Sequence, residues 1–249
     1  MSYKKSRRFD ASRKRQRPLL RHLRKIIVFV ALVFVIYGVF TTFLADSFVV
    51  DSVSMRPTYR PGDRLATSPL WYGPQIPFTS EHLPGIFSPR RGDLVVISPP
   101  YANPTAFPES LIQPFVSFFT GRQKTLSFDG RREWENNFVI RRIIALPGDT
   151  VRVRSGEAYV RSHGTPDFVS EFSLSLSAYE ILPETLPEGW ISNAPLGGQT
   201  GDIFLGEEEY FVLADNRAGT LDSRLWGPVH EDRIVTKVLF RYWPLGKRD

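Results

Sequence analysis

Thr150-Val151-Arg152-Val153-Arg154-Ser155-Gly156-Glu157-Ala158-Tyr159-Val160 alternates apolar and polar residues on both sides of a Ser-Gly pair. Alternation with a period of two puts Val151 and Val153 on one face of an extended chain, and Ala158 and Val160 resume it after the pair. The stretch therefore predicts a β-hairpin. Outward from it lie further short β-type runs, Ser47–Val50, Asp93–Ile97, Phe138–Ala145, Tyr210–Leu213 and Val235–Tyr242, separated by Pro and Gly. No two are joined by a convincing amphipathic helix, which argues against a parallel α/β architecture. The expected fold is mainly β, an antiparallel sheet of barrel-like form, and 42% hydrophobic content in 249 residues is enough for its core.

Three segments break the rhythm. Residues 68–87 are rich in Pro and aromatics (Leu70, Trp71, Tyr72, Ile76, Phe78), and residues 107–119 crowd together Leu111, Ile112, Phe115, Val116, Phe118 and Phe119. Both are too apolar for ordinary solvent loops. They either lie shallowly in a membrane interface or pack onto the β core. Residues 163–200 are polar and rich in Ser, Pro and Gly, as expected of an inserted cap or small subdomain.

Ile26 to Ala45 is a run of 20 residues without a charge. At about 1.5 Å per residue it matches the roughly 30 Å hydrocarbon layer of a bilayer. A cleaved signal peptide is the competing reading, but its apolar stretch is usually about 7–15 residues, and Phe43-Leu44-Ala45 lacks a small-x-small cleavage pattern. Residues 1–25 carry 11 of the 32 Lys and Arg against one acid, Asp10, so the positive-inside rule puts the N-terminus in the cytoplasm. The expected organisation is a basic cytoplasmic arm (1–25), a transmembrane helix (26–45) and an extracytoplasmic β-rich domain (46–249), anchored in the cytoplasmic (inner) membrane by a single pass.

The formal charge of +6 suggests nucleic acid only until the arm is set aside. The remainder holds 21 basic and 25 acidic residues, a net of −4, so no nucleic-acid partner is expected and the arm reads as a topology signal touching anionic lipid. The chain has no cysteine, which excludes disulfides and a thiolate nucleophile. Its four histidines (His22, His82, His163, His230) show no metal-ligand spacing. No metal or cofactor is expected, and the chemistry falls to hydroxyl, carboxylate, Lys or Arg.

Ser54, in Ser52-Val53-Ser54-Met55-Arg56-Pro57-Thr58, follows the apolar segment by nine residues. Alone it reads as a turn serine, with Pro61-Gly62-Asp63 closing the turn. Three later segments change that reading: Arg91-Gly92-Asp93-Leu94-Val95-Val96, then Ile140-Arg141-Arg142-Ile143-Ile144-Ala145-Leu146-Pro147-Gly148-Asp149, then Ala214-Asp215-Asn216-Arg217 leading to Asp222-Ser223-Arg224-Leu225-Trp226-Gly227. In this order, after a span, they resemble the bacterial type I signal peptidases, membrane-bound serine proteases that remove signal peptides from exported proteins. The resemblance covers the span and most of residues 46–244.

The resemblance implies Ser54 as nucleophile, attacking the carbonyl that follows a small-x-small motif. Its own N–H and the Ser52 hydroxyl would form the oxyanion hole. It also implies that Phe48, Val50, Val96 and Ile140 line shallow pockets for two small side chains, that Thr220 orients the base, and that Asp222 and Arg224 form a supporting ion pair. Implied partners are the signal peptides of exported preproteins, the lipid bilayer and, as a candidate, the protein translocation machinery.

One position departs from the pattern. The family's general base is a lysine where this chain has Arg141, and arginine holds its proton to a pKa above about 12. Three explanations stay open. The site binds without cleaving; another group such as His230, His163 or Lys124 reaches Ser54; or Arg141 orients while water or Asp222 assists. Ala214 also replaces the glycine that usually opens the Asp-Asn-Arg motif, which strains the backbone if that position needs positive φ. Two whole-protein readings follow, an active signal peptidase and a catalytically impaired relative that binds preproteins or partners an active enzyme. A self-cleaving repressor is excluded, since the N-terminus is a basic arm and span rather than a DNA-reading helix pair.

Overall fold

The computed structural model describes residues 6–73, 83–102, 138–183, 199–218 and 220–246. The expectations for residues 107–119, for Ile76, Phe78 and Lys124, and for 184–198 lie outside them. A long helix, α1 (Ser6–Phe43), leads into the first strand. It contains a 21-residue stretch, Arg21–Thr41, that is long and apolar enough to cross a membrane, and its apolar side chains are uncovered: Ile26, Phe29 and Ile36 are each more than half exposed. The helix is continuous through the boundary at residues 25 and 26 that the change in composition suggests.

The remainder is mainly β, as the alternating pattern predicts. Seven strands form one antiparallel sheet in the order β1 (Asp46–Val49), β2 (Arg64–Ser68), β11 (Ile234–Trp243), β3 (Leu94–Ile97), β4 (Val139–Ala145), β9 (Glu209–Leu213), β10 (Val229–His230). A second sheet runs β7 (Val169–Ser170), β6 (Glu157–Arg161), β5 (Thr150–Arg154), β8 (Ile203–Phe204). Its β5–β6 pair is the hairpin read from the sequence, with Arg154 opposite Glu157. Ser155 and Gly156 turn it at φ 51° and 80°, the positive values that match the twist of a tight hairpin. β11 pairs with β3 through Ile234–Lys237 and with β2 through Lys237–Trp243, and register shifts on both flanks bend the large sheet.

Period-two alternation decides where the core sits. Val95 and Ile97 point into a cluster with Ile143, Val212 and Ile234, whereas Val96 between them joins Val50, Met55, Leu65, Ile140 and Val238. Val151, Val153, Ala158 and Val160 of the hairpin pack with Ile144, Phe211 and Leu213, joining the two sheets. β2 has no counterpart among the runs read from the sequence. Arg64-Leu65-Ala66-Thr67 has no aromatic, Val or Ile residue, and what identifies it is the burial of Leu65 and Thr67.

Polar groups tie these layers together. Asp149 accepts from Arg91 Nη2 at 2.8 and 2.7 Å and from the Leu146 N–H at 2.8 Å, closing the Leu-Pro-Gly-Asp turn. Asp93 accepts from Tyr72 Oη and Lys237 Nζ, each at 2.7 Å. Within the 68–87 segment, Tyr72 thus leans on the sheet, while Trp71 stacks against Phe87 at 4.4 Å and Ile86 stays exposed. Gly92 has φ +88°, and a Cβ there would meet Ser175 Oγ at 2.3 Å, so only glycine lets residues 163–183 pass this close.

The described part of the 163–200 segment lies mostly at the surface but sends one residue, Glu171, into the interior. A one-turn helix, Glu171–Leu174, presents the buried Glu171 carboxylate to Arg217 Nη2 at 2.7 Å, to the Ala158 N–H at 2.8 Å and to the Tyr179 hydroxyl. Burial opposes the Arg217 charge, but Glu171 more than offsets it and holds the guanidinium pKa above its ordinary value. Removing one member of a wholly buried pair leaves the other uncompensated. Glu171→Ala is therefore expected to cost about 3–5 kcal/mol in urea-induced unfolding of the detergent-solubilised chain.

Candidate active site

β1 runs out at Val49, and the chain turns through Ser52–Thr58 before β2 begins. The Val50 N–H donates to the Asp63 carbonyl at 2.9 Å and the Gly62 N–H to the Val50 carbonyl at 2.8 Å, so the loop is closed at its neck. Met55, 1% exposed, plugs the turn into the core cluster below. That anchor leaves Ser54 just beneath the surface at 8% exposure.

The Asp-Asn-Arg motif grips this turn from the end of β9. Asn216 donates its N–H to the Ser54 carbonyl at 2.9 Å and its side-chain amide to the Val53 carbonyl at 3.3 Å. Asp215 accepts from Arg142 Nε at 2.8 Å, from Arg142 Nη2 at 2.6 Å and from the Thr58 hydroxyl at 2.5 Å. Arg142 also donates to the Gly92 carbonyl at 2.9 Å and covers the Tyr179 ring at 3.9 Å. Three of the sequence motifs thus meet on the loop that carries Ser54.

Ser52 Oγ lies 2.8 Å from Ser54 Oγ, and the Ser54 N–H points to Ser52 Oγ at 3.4 Å. Arg141 Nη1 donates to Ser54 Oγ at 3.2 Å and to the Ile140 carbonyl at 2.5 Å; Nε and Nη2 donate to the Leu221 carbonyl at 3.1 and 2.5 Å. The guanidinium, 3% exposed, sits 5.8 Å from the Trp226 ring and has no carboxylate within bonding distance among the described residues. Burial lowers its pKa from the ordinary value, against the opposing pull of Asp222.

These groups belong to a groove of about 230 Å³ lined by Phe48, Val50, Tyr101, Phe138 and Ile140, with Ser52, Ser54, Arg141 and Thr220 supplying its polar part. Val96 is placed differently from the sequence expectation. It pairs with Ile140 across β3 and β4 and shares its face and cluster, but it is buried and is not among the residues that line the groove. The Thr220 hydroxyl donates to the Asn216 carbonyl at 2.6 Å and contacts the Ala218 carbonyl at 3.2 Å rather than holding Arg141. Asp222 caps the one-turn helix Ser223–Trp226 through the Arg224 N–H, accepts from the Arg224 side chain at 2.9 and 3.0 Å and takes the Ala214 N–H at 3.2 Å.

Of the substitute bases, His230 lies on β10 at the far edge of the large sheet, half exposed between Glu208 and Asp232. His163 packs beside Gly148. Neither lines the groove, and no Lys or His does so among the described residues. Asp222 already serves Arg224 and Ala214. Ala214 lies at the end of β9 without positive φ, which among the described non-glycine residues is found only at Ser155, so the strain expected of it does not arise. Sequence reasoning misses two contributors: the Leu221 carbonyl, which has no side-chain signature, and Asn216, whose amide contacts depend on the fold.

An apolar groove that carries a pair of serine hydroxyls, beside a strand at the edge of the described sheet, is the layout of a serine peptidase. The protein belongs to the signal peptidase family, peptidase S26, whose family model matches residues 23–243. It is 27% identical over 206 residues to probable signal peptidase I-2 of Synechocystis, a match covering 83% of this chain and 66% of that one. Signal peptidase I of Buchnera aphidicola is 25% identical over 234 residues, covering 87% and 76% of the two chains. Thylakoidal processing peptidase 1 of Arabidopsis thaliana is 29% identical over 210 residues, covering 84% of this chain but 45% of that one.

The geometry makes Asn216 the clasp of the Ser54 turn. Asn216→Ala removes the bond to Val53 without touching the sheet, and amide hydrogen exchange over residues 53–58 is expected to rise about tenfold while β3 and β4 keep their protection.

Proposed function

We propose that the protein is a membrane-anchored serine endopeptidase that removes N-terminal signal peptides from exported preproteins at the outer face of the cytoplasmic membrane. The apolar part of α1 is the anchor, with the basic residues of its N-terminal part on the cytoplasmic side. Ser54 is the nucleophile, and Ser52 with the Ser54 N–H forms the oxyanion hole. The observation that carries this reading is the Ser52–Ser54 hydroxyl pair at 2.8 Å, in an apolar groove whose wall includes Phe48 on β1. Among the described residues β1 is an edge strand, bonded on one side only by β2, so an extended peptide can add to its free edge by main-chain hydrogen bonds. The groove's small volume then favours Ala-like side chains.

Arg141 shapes the chemistry. It donates to Ser54 Oγ, so it stabilises developing negative charge on that oxygen, but as a cation it cannot accept the proton. Deprotonation then depends on hydroxide or on the small neutral fraction of a guanidinium whose pKa burial has lowered. Both quantities grow as pH rises. Cleavage of a model preprotein is expected to increase about tenfold per unit between pH 7 and 10, without the neutral-pH plateau of a lysine base.

The second reading, a relative that binds preproteins or partners an active enzyme without cutting, is favoured by the absence of a lysine or histidine among the described groove residues. One assay separates the two. Purified native chain in detergent is expected to cleave a preprotein, Ser54→Ala to lose this activity, and Arg141→Lys to cleave at least about a hundredfold faster at pH 7.5. If the native chain shows no Ser54-dependent cleavage at any pH while Arg141→Lys does, the binding reading stands.

A further inference from the structure

Arg141 is a cation only 3% exposed, lining an apolar groove, with no carboxylate of its own within bonding distance among the described residues. A buried charge normally has an ionic partner inside the protein. Here the neighbouring acids do not provide one: Asp222 is bonded to Arg224 and the Ala214 N–H, Asp215 to Arg142 and Thr58, and the exposed Asp51 is the acid of the groove lining. The Arg141 bonds run to two backbone carbonyls and one serine hydroxyl, so among the described residues one Nη2 hydrogen has no acceptor.

Around the same point stand the Ser52 and Ser54 hydroxyls and the Ser54 N–H, whose bond to Ser52 is long at 3.4 Å. Four donor groups therefore stand together in the lining of a groove of about 230 Å³. A planar two-oxygen anion suits this set, one oxygen taking the serine donors and the other the guanidinium.

We infer that this part of the groove is a binding site for the C-terminal carboxylate of a peptide, so that the chain holds peptides ending at the small-x-small position as acids. Such a peptide is what cleavage at Ser54 would release on its N-terminal side. The inference rests on the reading that the groove takes an extended peptide, and on no catalytic step. It makes the protein a retainer of cleaved signal peptides whether or not it cuts them, and makes Arg141 the residue that discriminates acid from amide. A lysine acting as a neutral base could not supply that charge.

The test compares two ten-residue apolar peptides ending in Ala-Gln-Ala, one a free acid and the other its amide, by fluorescence anisotropy with the full native chain in detergent at pH 7.5. The acid is expected to bind at least about tenfold tighter, in line with a charge-assisted hydrogen bond. Arg141→Gln should abolish the difference, and so should Arg141→Lys where its amine is neutral. The acid–amide comparison needs no variant, so misfolding of either substitution leaves the test intact. Equal affinity for acid and amide would overturn the inference while leaving the peptide groove in place. If neither binds but an uncleaved peptide spanning the site does, the inference also fails. If no peptide binds at all, the groove reading falls with it. Acid preference in a chain that never cleaves would uphold the inference and refute only the peptidase reading.

Discussion

The Arg142–Asp215 ion pair is the constraint on which the site depends. Both side chains are withdrawn from water, so the pair forms only if β4 and β9 are in register and the Ser54 turn is folded down to offer Thr58. An error in any of the three leaves a desolvated charge, which makes the arrangement close to all-or-none. Asn216 and Arg217, the next two residues, extend the same logic. One clasps the backbone of the serine turn, and the other reaches Glu171 and the Gly156 carbonyl of the hairpin.

Arg141 and Arg142 show how neighbours on one strand acquire opposite fates. Alternation sends the Arg142 side chain to a carboxylate and the Arg141 side chain to the groove, where carbonyls and Ser54 Oγ receive it. The first is structural cement, since its charge is cancelled within the fold. The second keeps its charge available to whatever enters, and the chemistry of the groove follows from that difference.

Much of this is legible in the order of the residues alone. The Val151–Val160 alternation specifies the hairpin directly, and the runs that form β1, β3, β4, β9 and β11 stand out by their combined β-branched and aromatic content. The ordered motifs single out Ser54, Arg141, Arg142 and Asp215, and the same resemblance picks out Phe48, Val50 and Ile140, which line the groove. What the residues hide shares a cause. β2 is recognised by tertiary burial rather than propensity. The Leu221 carbonyl is backbone, invisible to any reading of side chains. Glu171 sits in a polar stretch whose composition says loop, and only the three-dimensional meeting with Arg217 reveals its carboxylate as interior. Val96 belongs to a matched motif and shares the face of Ile140, yet it is buried and does not reach the groove lining.

The polar stretch that follows the hairpin is sewn into the machinery by a parallel bridge as well as by Glu171. The Leu182 N–H donates to the Asp215 carbonyl at 2.9 Å, and the Leu182 carbonyl accepts from the Arg217 N–H at 3.0 Å, so two main-chain bonds flank Asn216. Anyone transplanting this hydrolase module into another scaffold, or trimming it for crystallisation, must carry residues 171–182 along with it. A cut made there on the strength of its loop-like composition would loosen the hand that holds the serine.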